Sequence, residues 1–535
     1  MSLVKNVGTI GGLTAISRVF GFARDMLMAR VVGAGLVADA FQLAFTLPNT
    51  FRRLFAEGAF SVAFVPMYSK ALHGDGGEEK ANAFANDVLS VFVWVLLAFS
   101  AVAMVFMPGI VWLLASEFAK VPGKFDLAVF LSRVTFPYLG FISLMAMLAG
   151  VLNARSRFGP AAFAPVLLNL FLISGILIGN HLRGSTGDDR VVGLALAVAV
   201  ALSGLGQFAY LWWETRNAGL RLKVSAPKLT PEVRKLGKLI LPATFGAGIY
   251  QISQFVDTFF ATSLEQGSLT LLKYADRLNQ MPLGIVGIAL GTAILPMLSR
   301  HIHTGDAREA QRLQANAFEI GTLLTLPAAA ALAICAPAFC TAFFVGGKFT
   351  PADGAIMADI VVALVAGLPA YVVVKILNPG FFAREDTRTP VWTALASLAF
   401  NIFLNIVVVR KWGIVGLASA TAASATLNCL LLYAILHRRG WFHFTLPLAG
   451  KIARQLLATA VMSAALWWLV PQFTAHYAGP WYDRIWSLGL IVTVGMIAFF
   501  AAAFALGAVD KSVLSQLRRR RAVRAKADDD ILEVE

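Results

Sequence analysis

The chain has 535 residues, of which 58% are hydrophobic and 14% charged, and its mean hydropathy is +0.72. This composition excludes a soluble globular protein and predicts a chain that crosses a membrane many times. The formal net charge of +15 would suit a nucleic-acid-binding protein. The basic residues, however, concentrate in every second loop between apolar segments, which is the pattern of cytoplasmic loops in membrane proteins.

Fourteen apolar segments are long enough to span a bilayer, at about 20 residues for each span. They lie near residues 7–30, 36–69, 83–115, 125–154, 158–181, 189–217, 234–262, 268–299, 309–344, 353–383, 389–409, 413–438, 448–470 and 485–508. The basic loops place both termini in the cytoplasm, which requires an even number of spans. The first segment is long and contains Arg18, Arg24 and Asp25, so we do not expect a cleavable signal peptide.

The sequence repeats itself at an offset of 223 to 230 residues. Residues 64–70 recur as 294–300, 150–155 as 380–384, and 191–195 as 414–418. Each half then holds six spans, so both halves insert the same way round and are related by an axis along the membrane normal. The predicted fold is therefore all-α, with two six-helix lobes and two added helices. Its parts are an N-terminal lobe (1–217), a basic cytoplasmic linker (218–236), a C-terminal lobe (237–440), two further spans (441–508) and a cytoplasmic tail (509–535).

The linker ends in a helix-start signal, Thr230-Pro231-Glu232. Residues 231–239 fit a short amphipathic helix on the cytoplasmic face. Spans thirteen and fourteen lie outside the repeat.

Among the arginines inside predicted spans are Arg18, Arg24, Arg52, Arg53 and Arg277. A charge in the hydrocarbon region costs at least about 2.5–3.5 kcal/mol, so such side chains are expected to face a wet cavity. The guanidinium fork fits phosphate oxygens in pairs. The pattern predicts a transporter for a phosphate-bearing anion. The alternative is that these arginines snorkel or pair internally, for example Arg24 with Asp25 or Asp39.

Helical geometry separates these arginines. Arg18 and Arg24 are six residues, or about 600° of rotation, apart, so they flank a wide face and not one narrow pocket. Arg52 and Arg53 point about 100° apart, so only one of them is expected to face the cavity. Thr270 lies two turns before Arg277 on the same face and is a candidate contact.

Pro48 should bend the second span. A simple kink and a flexing point in alternating access fit this proline equally well.

A cation site is a second hypothesis. Asp257 has no obvious basic partner in the sequence, Asn401 and Asn405 stand at i,i+4, and Thr421 lies early in the next span. Their oxygens could hold sodium or a proton for coupling; the alternative is hydrogen bonding that joins helices.

No cofactor or metal is expected from the sequence. The three cysteines match no metal motif and fit small core residues. There is no GxxxxGK[ST] run, so no ATP site is expected, and the membrane potential is a plausible driving force.

Four runs carry a resemblance to a known family. They are residues 17–25 (SRVFGFARD), 38–41 (ADAF), 47–60 (LPNTFRRLFAEGAF) and 274–278 (YADRL). Together they resemble the MurJ (MviN) family of lipid II flippases, which belongs to the MOP superfamily with the MATE drug exporters. The resemblance extends over essentially the whole chain.

The resemblance implies that lipid II, an undecaprenyl diphosphate with a disaccharide-pentapeptide, moves from the cytoplasmic to the outer leaflet of the bacterial inner membrane. It implies that four arginines and Asp39 line the cavity, and that the last two spans form a groove for the lipid tail. The predicted substrate contacts are Arg18, Arg24, Arg52, Arg277, Asp39, Ser17, Asn49 and Thr270. The expected form is a monomer that contacts membrane lipids and cell-wall synthesis proteins, with no nucleic acid.

Three rival functions remain open at this point. Another MOP transporter could move a different polyprenyl-diphosphate glycan, or export drugs, although a cation exporter should have acidic cavity residues. A membrane enzyme would need catalytic carboxylates near external loops, and Asp188, Asp189 and Asp483 do not obviously converge. A scaffold of the cell-wall machinery would not require buried arginines. We therefore expect a transporter and not an enzyme.

Overall fold

The structure, a computed structural model, describes residues 3–53, 60–220, 222–284 and 288–508. The first nine helices are α1 Leu3–Val32, α2 Leu36–Arg52, α3 Ser61–His73, α4 Gly77–Val105, α5 Met107–Ala115, α6 Lys124–Thr135, α7 Pro137–Ala154, α8 Gly159–Thr186 and α9 Arg190–Asn217. The remaining helices are α10 Pro231–Thr262, α11 Ser268–Pro282, α12 Ile288–His303, α13 Ala307–Phe343, α14 Pro351–Ala366, α15 Leu368–Phe382, α16 Arg388–Arg438, α17 Leu446–Leu469, α18 Thr474–Tyr477 and α19 Trp481–Ala505. Two short 3₁₀ helices cover Ser116–Lys120 and Val470–Phe473.

The all-α prediction is confirmed for the described residues, in which the only extended pairing is an isolated bridge between Gly346 and Phe349. Nine helical stretches of the described chain are long and apolar enough to cross a membrane. Helices α1, α2, α10 and α11 are outside this set. Helices α2 and α11, with 17 and 15 residues, are too short to span a bilayer alone at about 20 residues a span, and the count of fourteen spans stays a prediction.

A kink separates two predicted spans within the range of α16. Helix α16 contains predicted spans eleven and twelve, and its backbone turns at Gly413, with φ 54° and ψ −135°. This left-handed φ favours glycine, which has no Cβ to clash with the backbone.

The internal repeat extends to backbone geometry. Ser156 and Glu385 are the non-glycine residues with positive φ in the described chain, at 60° and 61°. They are 385 − 156 = 229 residues apart and follow the repeated arginines Arg155 and Arg384. Both halves therefore make the same tight turn after corresponding helices, a turn that β-carbon sterics disfavour outside glycine and asparagine.

The described residues fall into two compact units. The first unit is drawn from Met1–Arg277, Phe343–Ile360 and Ala394–Ala420, and the second from Leu278–Ala342, Val361–Thr393 and the chain from Thr421 onward. The first unit therefore takes in two segments from the second half of the chain.

The first unit has an aromatic core at one end. Phe64 stacks on Phe60 and Phe84 with ring centroids 5.0 and 5.7 Å apart, and Tyr68 continues the stack. Aromatic pairs of this kind contribute about 0.5–1.5 kcal/mol beyond the burial of their area. The repeated segment 64–70 therefore belongs to a packed core.

The linker between the halves packs on this core. Leu220 and Leu222 are buried in the same cluster as Phe64. The amides of Lys223 and Ser225 donate to Asn86 Oδ1 and Ser90 Oγ at 2.8 and 2.9 Å, so side chains of α4 supply the hydrogen bonds that an extended segment lacks.

The predicted helix start at Thr230 is confirmed. Its hydroxyl accepts from the amide of Val233 at 3.4 Å, and Pro231 occupies the first helical position. Residues 231–239 do not form a separate amphipathic helix, because α10 continues without a break to Thr262.

Helices α8 and α9 pack through small residues. A Cβ built at Gly175 would lie 2.6 Å from the Cβ of Ala199, and one at Gly179 would lie 2.9 Å from the Cα of Val192. In lipid, such close backbone approach is a main source of helix association.

We predict that Gly175→Ala destabilises the protein by roughly 1–3 kcal/mol, because the backbones must move apart. The control is Gly184→Ala in the same helix, where an added Cβ meets no atom within 4 Å. Thermal unfolding in detergent should show a lower midpoint only for Gly175→Ala. Equal midpoints would contradict the packing described here.

Candidate functional site

Two predicted arginines meet at one carboxylate, that of Asp25, within the first unit. Arg24 donates from Nε and its NH2 nitrogen to Asp25 Oδ1 at 3.0 and 2.6 Å. Arg277 donates from Nε to Asp25 Oδ2 at 2.6 Å. Helix α1 thus supplies one guanidinium and the carboxylate, and α11 supplies the other guanidinium. We call Arg24, Asp25, Asn169 and Arg277 the Asp25 cluster.

The exposure of the two arginines differs. Arg24 and Asp25 are 6% and 5% exposed, whereas the side chain of Arg277 is 45% exposed. Two guanidinium groups against one carboxylate leave a net charge of +1. Because Arg277 uses Nε for Asp25, the outer edge of its fork can bind an anion in a bidentate geometry.

Asn169 holds Arg24 in place. Its Oδ1 accepts from an Arg24 terminal nitrogen at 3.0 Å, and its Nδ2 donates to the carbonyls of Ser17 and Pro165 at 3.0 and 3.2 Å. A Cβ at Gly21 would lie 3.5 Å from Asn169 Nδ2, so Gly21 lets α8 approach α1 closely. Sequence reasoning missed Asn169, although an asparagine in the apolar fifth segment was a usable signal.

The other predicted contacts of α1 and α2 are more open. Arg18 is exposed, and Ser17, Asn49 and Arg52 are half-buried. Arg52 Nε donates to Asn49 Oδ1 at 3.1 Å, one turn back on α2. The separation of Arg18 from Arg24 agrees with the helical-wheel prediction. These four residues do not join the Asp25 cluster through any hydrogen bond found in the described chain, except for the Ser17 carbonyl.

Pro48 is buried within α2, which continues from Leu36 to Arg52. Its role as kink or flexing point stays open.

Asp39 is enclosed by protein donors. Its Oδ2 accepts from Lys124 Nζ at 2.8 Å and from the amide of Gly267 at 2.7 Å. Its Oδ1 accepts from the amide and the hydroxyl of Thr270 at 3.1 and 2.8 Å. Asp39 and Thr270 are 2% and 0% exposed. Since α11 begins at Ser268, Asp39 caps its N-terminus from a different helix and stabilises its dipole.

This cap positions Arg277. The amides that Asp39 accepts from lie at the first turn of α11, and Arg277 lies two turns further along the same helix. Gly267 has φ +94°, and a Cβ there would lie 2.7 Å from the carbonyl oxygen of Ala34. The chain before α11 therefore lies directly against the connection between α1 and α2.

The same end of α1 also holds residues 343–350. Arg30 donates to the carbonyl of Phe343 at 3.1 Å, and the amide of Lys348 donates to the carbonyl of Arg30 at 2.8 Å. The ammonium of Lys348 pairs with Asp189. These contacts make α1 the central helix of the first unit's charged region.

The cation site at Asp257 stays a prediction, but a basic residue lies within electrostatic reach of this carboxylate. Asp257 is half-buried and interacts electrostatically with Lys273, which also lies in the fields of Asp276, Arg53 and Arg277. Lys273 is four residues before Arg277 and shares its helix face. Sequence reasoning missed this lysine, which stands out in an otherwise apolar turn.

Two other residues of the hypothetical cation site contact each other. Asn405 Nδ2 donates to Asn401 Oδ1 at 3.0 Å, and both side chains are buried in the first unit. Thr421 belongs to the second unit. No group of three or more histidine, cysteine or acidic residues suited to a metal ion occurs among the residues that the structure describes.

The second unit contains an apolar cavity of about 240 Å³. It lies among α13, α17 and α19, and residues such as Pro327, Cys335, Met462 and Phe499 line it. Gln455, fully buried on α17, accepts from the Thr322 hydroxyl at 2.8 Å and donates to the Glu319 carbonyl at 3.1 Å. Helix α17 is thus fixed to α13 by polar contacts beside an apolar cavity.

We predict that Asp39→Asn destabilises the protein by about 3–5 kcal/mol, because Lys124 then remains buried without a counter-charge. The double variant Asp39→Asn with Lys124→Met should recover part of the loss. Thermal unfolding in detergent measures both. A single variant as stable as the original chain would show that the buried pair does not fix α11.

Comparison with known proteins gives the family. The model of the family "Lipid II flippase MurJ" matches residues 28–482. A probable lipid II flippase MurJ of Rhizobium meliloti (strain 1021) is 42% identical over 528 residues, which cover 98% of this chain and 97% of that protein.

Solved structures agree on the fold. A lipid II flippase MurJ in an inward closed conformation superposes with a TM-score of 0.73 at 24% identity and covers 92% of this chain and 97% of its own. An inward-facing MATE family multidrug transporter of the MOP superfamily gives 0.63 at 15% identity, covering 79% of this chain and 94% of its own. At such identities these matches establish the fold alone. From the family match and the relative in Rhizobium meliloti, the chain belongs to the lipid II flippase MurJ family.

Proposed function

We propose that this chain moves lipid II from the cytoplasmic to the outer leaflet of the bacterial inner membrane, and that the Asp25 cluster binds its diphosphate. The observation that carries the proposal is the pair of arginines on one carboxylate, with one guanidinium buried and the other 45% exposed. A diphosphate would complete the charge balance of the cluster and accept paired donors from Arg277.

The other arginines extend this site. Arg18 and Arg52 are accessible on α1 and α2, so they are suited to contact the remaining phosphate or the sugar-peptide headgroup. Asp39 and Thr270 act by holding α11, while Ser17 and Asn49 act through Asn169 and Arg52. The apolar cavity among α13, α17 and α19 would take part of the lipid tail.

Transport by alternating access needs a driving force. A site with net positive charge that returns empty gains about 2.3 kcal/mol per charge for each 100 mV of membrane potential. We therefore propose that the membrane potential drives transport. Both termini of the chain then lie in the cytoplasm. A cation exporter is disfavoured, because basic residues at the cluster would repel a cationic drug.

The same observation also supports a flippase with a different substrate. The cluster recognises a diphosphate and carries no information on the attached glycan, so another polyprenyl-diphosphate glycan is the alternative substrate.

We predict that Arg277→Gln and Arg24→Gln lower lipid II export roughly ten- to hundredfold, since a hydrogen bond to a charged group is worth about 1.5–3 kcal/mol. The cells are depleted of their own flippase and rescued by this chain, and lipid II accessible from outside is measured. Arg308→Gln, at an exposed position on α13, is the matched control.

Three outcomes are informative. Rescue by the original chain and by Arg308→Gln, but not by the folded cluster variants, supports the proposal. Failure of a well-expressed original chain would favour another polyprenyl-diphosphate glycan. Full rescue by both cluster variants would make the arginines structural.

For coupling, we propose that the charge of Lys273, which lies within electrostatic reach of Asp257, balances this carboxylate in place of a bound sodium ion. We predict that Lys273→Met gains stabilisation by sodium over choline in thermal unfolding, whereas the original chain and Lys273→Met with Asp257→Asn do not. Sodium-specific stabilisation of the original chain that Asp257→Asn removes would instead support a cation site at Asp257.

A further inference from the structure

Two arginines of the second unit contact the same indole ring. The guanidinium carbons of Arg384 and Arg439 lie 4.7 and 4.8 Å from the ring centroid of Trp441. Trp441 is half-buried and packs edge-to-face on Phe381 at 5.9 Å. With Asp386 and Thr389 these residues form what we call the Trp441 site, where the turn after α15 meets the end of α16.

One of the two arginines has an ionic partner. Arg439 donates to Asp386 Oδ2 at 2.5 Å and to the Thr389 hydroxyl at 3.1 Å. Burial alone would raise the pKa of Asp386, but hydrogen bonds from Thr389 and Arg439 lower it to about 2, so the carboxylate is ionised at neutral pH. Asp386 therefore neutralises Arg439.

The other arginine has no carboxylate partner in the part of the chain that the structure describes. Arg384 donates from one terminal nitrogen to the carbonyl of Gly380 at 2.7 Å, one turn back. A contact between an arginine and an aromatic ring contributes only about 0.5–1 kcal/mol at exposed sites. A second guanidinium on the same ring adds like-charge repulsion, so the Trp441 site retains a net charge of +1.

The internal repeat provides a built-in comparison. Arg155 occupies the position of Arg384 in the first half, next to Ser156 in the same left-handed turn. Arg155 pairs with Glu78 at 2.9 Å, and its Nε donates to the Tyr68 hydroxyl at 3.4 Å. The corresponding turn thus gives its arginine a carboxylate partner in one half, whereas in the other half a second arginine stands nearby and no carboxylate of the described chain pairs with Arg384.

The surroundings indicate which kind of anion would suit this site. The site lies in two of the basic loops that the charge pattern places in the cytoplasm, with Arg388 and Arg438 exposed on either side. Phe382 and Trp392, on the helices that carry the site, are 40% and 69% exposed. Arginine next to exposed aromatic residues at a membrane surface is suited to a phosphate attached to an acyl chain.

We infer that Arg384, Trp441 and Arg439 form a binding site for the phosphate of an anionic phospholipid of the cytoplasmic leaflet. The phosphate accepts from the remaining N–H groups of Arg384 and from Arg439, and the acyl chains lie along Phe382 and Trp392. The site is built in the second unit from residues other than those of the Asp25 cluster, and it does not depend on which lipid is transported.

The test is a lipid titration of the purified full chain followed by native mass spectrometry. The probes are phosphatidylglycerol, phosphatidylcholine and inorganic phosphate, and the variants are Arg384→Gln, Arg384→Lys and the control Arg308→Gln. We expect Arg384→Gln to bind phosphatidylglycerol at least fivefold more weakly, Arg384→Lys to be intermediate, and Arg308→Gln to match the original chain. Phosphatidylcholine and inorganic phosphate should bind weakly to every form.

Each other outcome overturns the inference. Equal loss in Arg308→Gln would mean that phosphatidylglycerol responds only to total charge. Unchanged binding in Arg384→Gln would mean that the arginine pair is structural, and equal binding of inorganic phosphate would mean that no lipid is recognised. Thermal midpoints within a few degrees of the original chain establish that the variants are folded, and Arg384→Lys preserves the charge if Arg384→Gln unfolds.

Discussion

The charged region of this protein depends on the Asp25 carboxylate, which lies between two guanidinium groups. Without it, Arg24 would be a buried cation in a membrane protein, and the cost of such a charge is several kcal/mol. With it, Arg24 is fixed by both Asp25 and Asn169, while Arg277 keeps part of its surface open. One carboxylate thereby makes two neighbouring arginines tolerable and leaves a net positive charge for a ligand.

A second carboxylate determines where Arg277 lies. Asp39 accepts four hydrogen bonds, three of them from the start of α11, and its charge is balanced by Lys124. The two carboxylates therefore have different roles. Asp25 binds the arginine side chains, and Asp39 positions the helix that carries one of them. Substitution of either acid should affect transport and also destabilise the first unit, because it leaves Arg24 or Lys124 as a buried cation without its counter-charge.

The sequence was sufficient for the fold class, the helix start at Thr230 and the internal repeat, because these follow from local hydropathy and from short motifs. The arginines were found because a charge in an apolar span is conspicuous. The sequence left two alternatives for Arg24, a cavity-facing side chain and internal pairing with Asp25 or Asp39. Sequence spacing does not show which partner a long side chain contacts.

Asn169, Lys124 and Lys273 were missed for a related reason. Their partners are 145, 85 and 16 residues away in the chain (169 − 24, 124 − 39 and 273 − 257), and only the packing of helices brings them together. The prediction of a separate short amphipathic helix at 231–239 was wrong. Its apolar residues, including Val233 and Leu236, pack on the core of the first unit, and the segment is the first part of α10.

Recognition of a diphosphate by the Asp25 cluster can be measured as a difference in affinity. The most direct measurement is the affinity of the purified chain for lipid II, compared with the same lipid carrying a neutral linker in place of the diphosphate. We expect at least tenfold tighter binding of lipid II, and we expect Arg277→Gln to remove most of that difference. Equal affinity for both lipids in the original chain, or an undiminished difference in Arg277→Gln, would contradict the account.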